Sequence, residues 1–133
     1  MPSILVDAGI IVAALNRNDR FHFVALELIA DSEGRLLTTW PVIAEACALV
    51  AETRQADVLA WAEQSDTEIV SIDDGLAFMR RMMNDDRDLP CDFADASLVY
   101  AAWRTSVREI WTIDEDFRIY RLPDKSRFKV IPG

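Results

Sequence analysis

Four acidic residues stand in recognisably different segments of this chain: Asp7 after Ser3-Ile4-Leu5-Val6, Glu45 within Thr38-Thr39-Trp40-Pro41-Val42-Ile43-Ala44-Glu45, Asp95 within Asp92-Phe93-Ala94-Asp95-Ala96, and Asp114 after Ile110-Trp111-Thr112-Ile113. Asp7 and Asp114 follow runs that read as buried strands, and in open α/β sheets ligands bind where such strands end. If the four converge, repulsion dominates the site. Two carboxylates about 4 Å apart repel by roughly 4 kcal/mol at an effective dielectric of about 20. Either one of them takes up a proton, or a hard, oxygen-seeking cation such as Mg²⁺ or Mn²⁺ sits between them. A cation brings chemistry as well as relief: it lowers the pKa of bound water, polarises a phosphoryl oxygen and stabilises a leaving alkoxide. Asp7, Glu45, Asp95 and Asp114 are therefore the candidate catalytic and metal-binding set.

Each of these residues also has a plainer use. Asp7 could do no more than cap a following helix. Glu45 could be a solvated surface residue, but its neighbours Val42, Ile43, Ala44, Ala46 and Cys47 make an unpaired charge costly. Asp92 and Asp95 lie three positions apart at the start of one helical pattern. Asp92, after Pro90-Cys91, is expected to cap that helix, and Asp95 to project toward the site. His22 is the only histidine, which excludes schemes needing a histidine pair. Cys47 reads as core and Cys91 as an idle loop thiol. Trp40, Trp61, Trp103 and Trp111 fall in helical and strand patterns, where packing is a commoner use than base stacking.

The elements that must position these groups alternate in kind. Strands are expected at Ser3 to Val6, Leu36 to Thr39, Glu68 to Ile72 and Glu109 to Ile113, with a short edge strand at Phe128 to Ile131. Helices are expected at Ala8 to Asn16, Phe21 to Ala30, Pro41 to Arg54, Ala56 to Glu63, from the Asp73-Asp74 cap through Phe78 to Met83, and at Phe93 to Thr105, with a charged loop from Asn84 to Pro90. Strands alternating with helices predict a parallel sheet covered on its faces.

Composition is compatible with this. With 133 residues, 51% of them hydrophobic, the chain is expected to form a single domain over 1–133, burying roughly two thirds of its unfolded surface. Its apolar stretches are too short to cross a bilayer, and no signal peptide is legible at the N-terminus. Two distant cysteines give no zinc or disulfide pattern. A cytoplasmic protein is expected. The net charge of −9 excludes bulk electrostatic coating of nucleic acid. Seven basic residues nevertheless follow position 100 (Arg104, Arg108, Arg118, Arg121, Lys125, Arg127, Lys129), enough for a local basic rim. The four glycines are scattered, so no phosphate-cradling loop is present.

Taken in order, Val6-Asp7-Ala8-Gly9, Asn16-Arg17-Asn18-Asp19 through His22, Thr38 through Glu45, Leu89-Pro90 through Leu98, and Thr112-Ile113-Asp114-Glu115-Asp116-Phe117 resemble the PIN-domain proteins, and within them the VapC type of toxin ribonuclease. The resemblance runs nearly end to end. It implies a three-layer α/β/α fold around a parallel sheet and metal-dependent endonuclease activity on RNA, and it puts Asp7, Glu45, Asp95 and Asp114 at the family's acidic positions. It also implies an antitoxin partner and a homodimer. Two departures stand out: Gly9 replaces a frequent hydroxyl residue, and one residue fewer separates Asp114 from Asp116, so Asp114 is the expected ligand.

The expected function is that of a Mg²⁺- or Mn²⁺-dependent endoribonuclease, the toxin of a type II toxin-antitoxin pair. An acyl-phosphate phosphatase is disfavoured because no second Asp follows Asp7 at plus two. The alternative is a non-catalytic partner-binding module with a vestigial acidic metal site. A homodimer burying apolar side chains of the early helices (Phe21, Phe23, Leu26) is expected as well.

Overall fold

A computed structural model describes residues 2–85 and 89–133. Five strands form one parallel sheet: β1 (Ser3–Val6), β2 (Arg35–Thr38), β3 (Glu68–Ile69), β4 (Glu109–Trp111) and β5 (Lys129–Ile131), in the order β3-β2-β1-β4-β5. The α-helices among the described residues are α1 (Ala8–Leu15), α2 (His22–Asp31), α3 (Trp40–Leu49), α4 (Gln55–Gln64), α5 (Leu76–Asp85) and α6 (Phe93–Thr105). The chain steps outward from β1 to β2 to β3, then crosses back to place β4 on the other side of β1. With right-handed crossovers this reversal puts helices on both faces of the sheet. It also makes the carboxyl ends of β1 and β4 the topological switch point, where α/β sheets open a crevice. Asp7 and Asp114 are the acids that follow those two strands.

The central strands are apolar on both faces, as buried parallel strands must be. Leu5, Val6, Ile110 and Trp111 are buried, together with Ile10 and Ile11 of α1, Val42 and Ile43 of α3, Val58 of α4, and Leu98 and Val99 of α6. The register pairs Leu5 with Ile110 and Val6 with Trp111. The amide of Asp7 then donates to the Trp111 carbonyl at 3.0 Å, so the first residue beyond β1 is still locked to β4.

Several boundaries differ from expectation for local reasons. The helix expected to run to Arg54 stops at Leu49, where Val50 turns extended. The Gln55 side-chain amide donates to the Cys47 carbonyl at 3.0 Å, satisfying one of the acceptors left open at a helix end. A 3-10 turn at Glu52–Arg54 leads into α4. β3 is shorter than expected, pairing only at Leu37 with Glu68 and Thr38 with Ile69. α5 extends to Asp85, beyond the expected Met83. The rest of the expected charged loop includes 86–88, which lie outside the described residues. Cys91 is buried against the core, a correction to its reading as an idle loop thiol, and Cys47 is only half-buried.

Gly75, in the 3-10 turn just before α5, lies close against Tyr100 of α6. A Cβ there would meet the Tyr100 ring at 2.7 Å, and that ring is held edge-on by Phe78, with centroids 5.4 Å apart. Gly75→Ala should therefore destabilise by about 1–3 kcal/mol through overpacking, read as a lower thermal midpoint with metal affinity unchanged. A midpoint equal to the parent's would show that the ring gives way freely.

Candidate metal centre

Asp7 is placed by two elements at once. It caps α1, its Oδ1 accepting from the Ala8 amide at 2.7 Å, while Oδ2 accepts from the Thr112 hydroxyl at 2.7 Å. With 6% of its surface exposed, it is a carboxylate set into the core. Burial is the main cause of its raised pKa, opposed by those two hydrogen bonds and reinforced by the charges of Asp114 and Asp92. Thr112 does a second job: its Oγ1 accepts from the Asp114 amide at 3.0 Å. One buried hydroxyl thus fixes the side chain of one acid and the backbone of another. Asp114 Oδ1 accepts from the Asp116 amide at 2.9 Å, turning the chain into a 3-10 turn at Glu115–Arg118.

α6 brings the third acid. Asp92 is the N-cap, accepting from the Asp95 amide at 2.9 Å, as expected. Asp95 sits in the first turn, where the positive helix end favours negative charge. The Tyr120 hydroxyl lies 3.3 Å from Asp95 Oδ2 and 3.1 Å from the Pro90 carbonyl. α3 is anchored nearby. Thr39 caps it, and the Thr39 hydroxyl lies 2.6 Å from that of Ser97, which donates to the Ala94 carbonyl at 2.7 Å. With Ser97 committed as donor, Thr39 donates to it, and α3 is tied to α6 through two buried hydroxyls.

These elements bring Asp7, Asp95 and Asp114 together, each offering a carboxylate oxygen within 4.8 Å of the other two. Glu45 stands outside that trio. It lies half-buried on α3, close enough to Asp92 for that carboxylate to bear on its own. Burial first, then the Asp92 charge, push both Glu45 and Asp95 up to about 7, with Asp7 and Asp114 adding to each. Asp92 therefore does more than cap: its charge also weighs on the site. Asp116 contributes its amide, and its half-exposed carboxyl is raised by desolvation and by Asp114.

Among the described residues, no Lys or Arg forms an ion pair with Asp7, Glu45, Asp92, Asp95 or Asp114. The donors are all hard carboxylate oxygens, which fits Mg²⁺ or Mn²⁺ and not a soft metal. A cation with ligands about 2.0–2.1 Å away places opposite oxygens roughly 4.2 Å apart, so the spacing of the trio suits one ion after small side-chain rotations. At Gly9 a Cβ would meet Ile113 at 2.8 Å. The space that a hydroxyl-bearing side chain would need is filled by Ile113.

Thr112, Tyr120 and the Thr39-Ser97 pair were not singled out for the site by the sequence. A hydroxyl two residues before an Asp is the spacing of a hydroxyl-to-backbone turn, so Thr112 carried a usable signal. Tyr120 carried none.

The raised acids set a pH dependence. From their ordinary 4.5 and 3.8 up to about 7, the folded state holds more protons than the unfolded one. The stability that protonation gives these two groups is thus full below the ordinary values and lost as pH rises through about 7. Chelator-treated protein should show a thermal midpoint that falls from about pH 5 to about pH 8, and saturating Mn²⁺ should remove the fall. Asp92→Asn keeps an N-cap while deleting the charge that bears on both groups, so its fall should be shallower. A midpoint that rises over that range without metal would refute the assignment.

The PIN-domain family model matches residues 4–122. No curated protein matches the sequence. Among solved structures, the crystal structure of Mycobacterium tuberculosis VapC20, described as a Sarcin-Ricin loop cleaving toxin, superposes with a TM-score of 0.82 at 18% identity, covering 93% of this chain and 98% of that one. At that identity the likeness is one of fold, and it includes the parallel sheet whose switch point carries the three converging acids. The family match spans most of the chain and contains Asp7, Glu45, Asp95 and Asp114, so this chain belongs to the PIN-domain family.

Proposed function

We propose that the chain is a metal-dependent endoribonuclease, the toxin of a type II toxin-antitoxin pair, acting as a single PIN-like domain over 1–133. The observation that carries this reading is the convergence of Asp7, Asp95 and Asp114 at the switch point with no described cation opposing them. Membership of the PIN family supports it, as does the fold shared with a toxin described as cleaving an RNA loop. Mg²⁺ or Mn²⁺ is the proposed cofactor, with Asp7, Asp95 and Asp114 as inner ligands and Glu45 joining them.

A divalent cation held there supplies charge neutralisation at a phosphodiester and activation of water. The chain's own residues do the rest. Thr112 and the Ala8 amide hold both oxygens of Asp7, so that acid needs no reorganisation to receive charge. Tyr120 and the helix start orient Asp95. Glu45, pushed up to about 7 by burial and by the Asp92 charge, lies in the range suited to proton transfer. Hydrolysis follows without a covalent intermediate.

The proposed partners are RNA, a cognate antitoxin and a second copy of the chain, in the cytoplasm. No helix among the described residues is long and apolar enough to cross a membrane. Phe23 is 74% and Leu26 42% exposed on α2, a face suited to partner contact, whereas Phe21 is half-buried beneath the Arg20 guanidinium, 5.2 Å from its ring.

Two measurements test the reading. Purified chain incubated with total RNA should cleave it only with Mg²⁺ or Mn²⁺, leaving 5′-phosphate and 3′-hydroxyl ends; cyclic phosphate ends would point to attack by the ribose and overturn the mechanism. Asp7→Asn, Asp95→Asn and Asp114→Asn should each cost more than the roughly 10–100-fold typical of residues that only support ligands. RNA left intact by metal-loaded, folded protein would favour the binding-module alternative. Light scattering at micromolar concentration should give a dimer mass, and a monomer mass would remove the second copy.

A further inference from the structure

The molecule carries net negative charge, yet one cleft beside the acidic centre is lined by two arginines that form no ion pair among the described residues. Arg81, Met82 and Asp85 of α5 face Ile119, Tyr120 and Arg121 across a recess of about 380 Å³. A second recess of about 240 Å³ continues it, sharing Arg81, Met82 and Arg121 and adding Phe78, Leu122 and Pro123. Positions 78, 81, 82 and 85 fall on one stripe of α5, since residues three and four apart share a helix face. Neither Arg81 nor Arg121 forms an ion pair among the described residues, whereas Arg54, Arg108 and Arg118 do.

Arg121 is also held in place. Its Nη1 donates to the carbonyls of Arg118, Ile119 and Tyr120 at 3.2, 2.6 and 3.1 Å, which fixes the guanidinium plane and leaves Nη2 and Nε for another acceptor. The preceding residue, Tyr120, reaches the trio through its hydroxyl. The recess therefore starts where the metal centre ends.

We propose that this cleft between α5 and the Ile119–Arg121 turn holds the backbone of single-stranded RNA flanking the scissile phosphate, with Arg81 and Arg121 each on a phosphate. Guanidinium is the side chain best matched to phosphate oxygens. Apolar walls made by Met82, Ile119 and Phe78 offer an unstacked base a surface, the combination typical of single-strand sites. Asp85 at the rim opposes the phosphates and tempers affinity. The inference rests on the ribonuclease reading and adds a path to it.

The test measures binding of a short labelled single-stranded oligoribonucleotide to Asp95→Asn protein in chelator, by anisotropy across a salt series. In that background, Arg81→Gln with Arg121→Gln should lower the slope of log affinity against log salt by about 1.4, since each single-strand phosphate contact contributes about 0.7. In active protein the same pair should raise KM at least about tenfold with kcat little changed, the mark of lost uniform binding. Asp85→Asn should tighten binding, an outcome that damage to the fold cannot imitate. If the parent cleaves RNA and the arginine variants keep its slope and KM, the cleft is wrong and the ribonuclease reading stands. If the parent neither binds nor cleaves RNA, both fall.

Discussion

Mutual repulsion among carboxylates at the switch point is the constraint on which the rest of this structure depends. Asp7, Asp95 and Asp114 come from the ends of β1 and β4 and the start of α6, segments far apart in sequence. Holding them within reach of one another opposes folding in the absence of a cation. Among the described residues, the scaffold resists with neutral groups: backbone amides of Ala8, Asp95 and Asp116, and the hydroxyls of Thr112 and Tyr120. An arginine among the acids would have relieved the repulsion and filled the place of the ion. Dipoles orient the carboxylates without cancelling their charge, which is what a site waiting for a cation requires.

The same logic explains why the sheet is so uniformly apolar beneath the site. β1 and β4 carry Leu5, Val6, Ile110 and Trp111, all buried, and the hydrogen bond from the Asp7 amide extends the pairing past the strand end. Strain from the acids thus falls on the best-packed part of the molecule. Away from the site, β3 has two residues, and α3 is tied to α6 by the buried Thr39-Ser97 hydroxyl pair near its start.

Much of this was legible in the sequence, because the signals were local. Strand ends followed by Asp7 and Asp114, Pro41 after the Thr39 cap, and the Asp92 cap three residues before Asp95 are short-range patterns, and the elements begin where those patterns lie, although β4 closes at Trp111, short of the expected Ile113. What escaped was long-range or double-purpose. Tyr120 meets Asp95 only because the turn after Asp114 folds back over α6. Asp92 was read as a cap and is one, but its charge on Glu45 and Asp95 depends on α3 and α6 approaching each other. The end of α3 at Leu49 was hidden because Gln55, beyond the break, supplies the donor that lets the helix stop.

The contact between Gly9 and Ile113 has a consequence for how the chain can vary. Ile113 occupies the volume that any side chain at position 9 would need, and it follows Thr112, which bridges two of the acids. A serine or threonine at position 9 would therefore have to push the exposed Ile113 side chain aside, a shift that a smaller residue there would make unnecessary. The two positions are thus coupled, and a relative bearing a hydroxyl at the first should carry a rotated or trimmed side chain at the second.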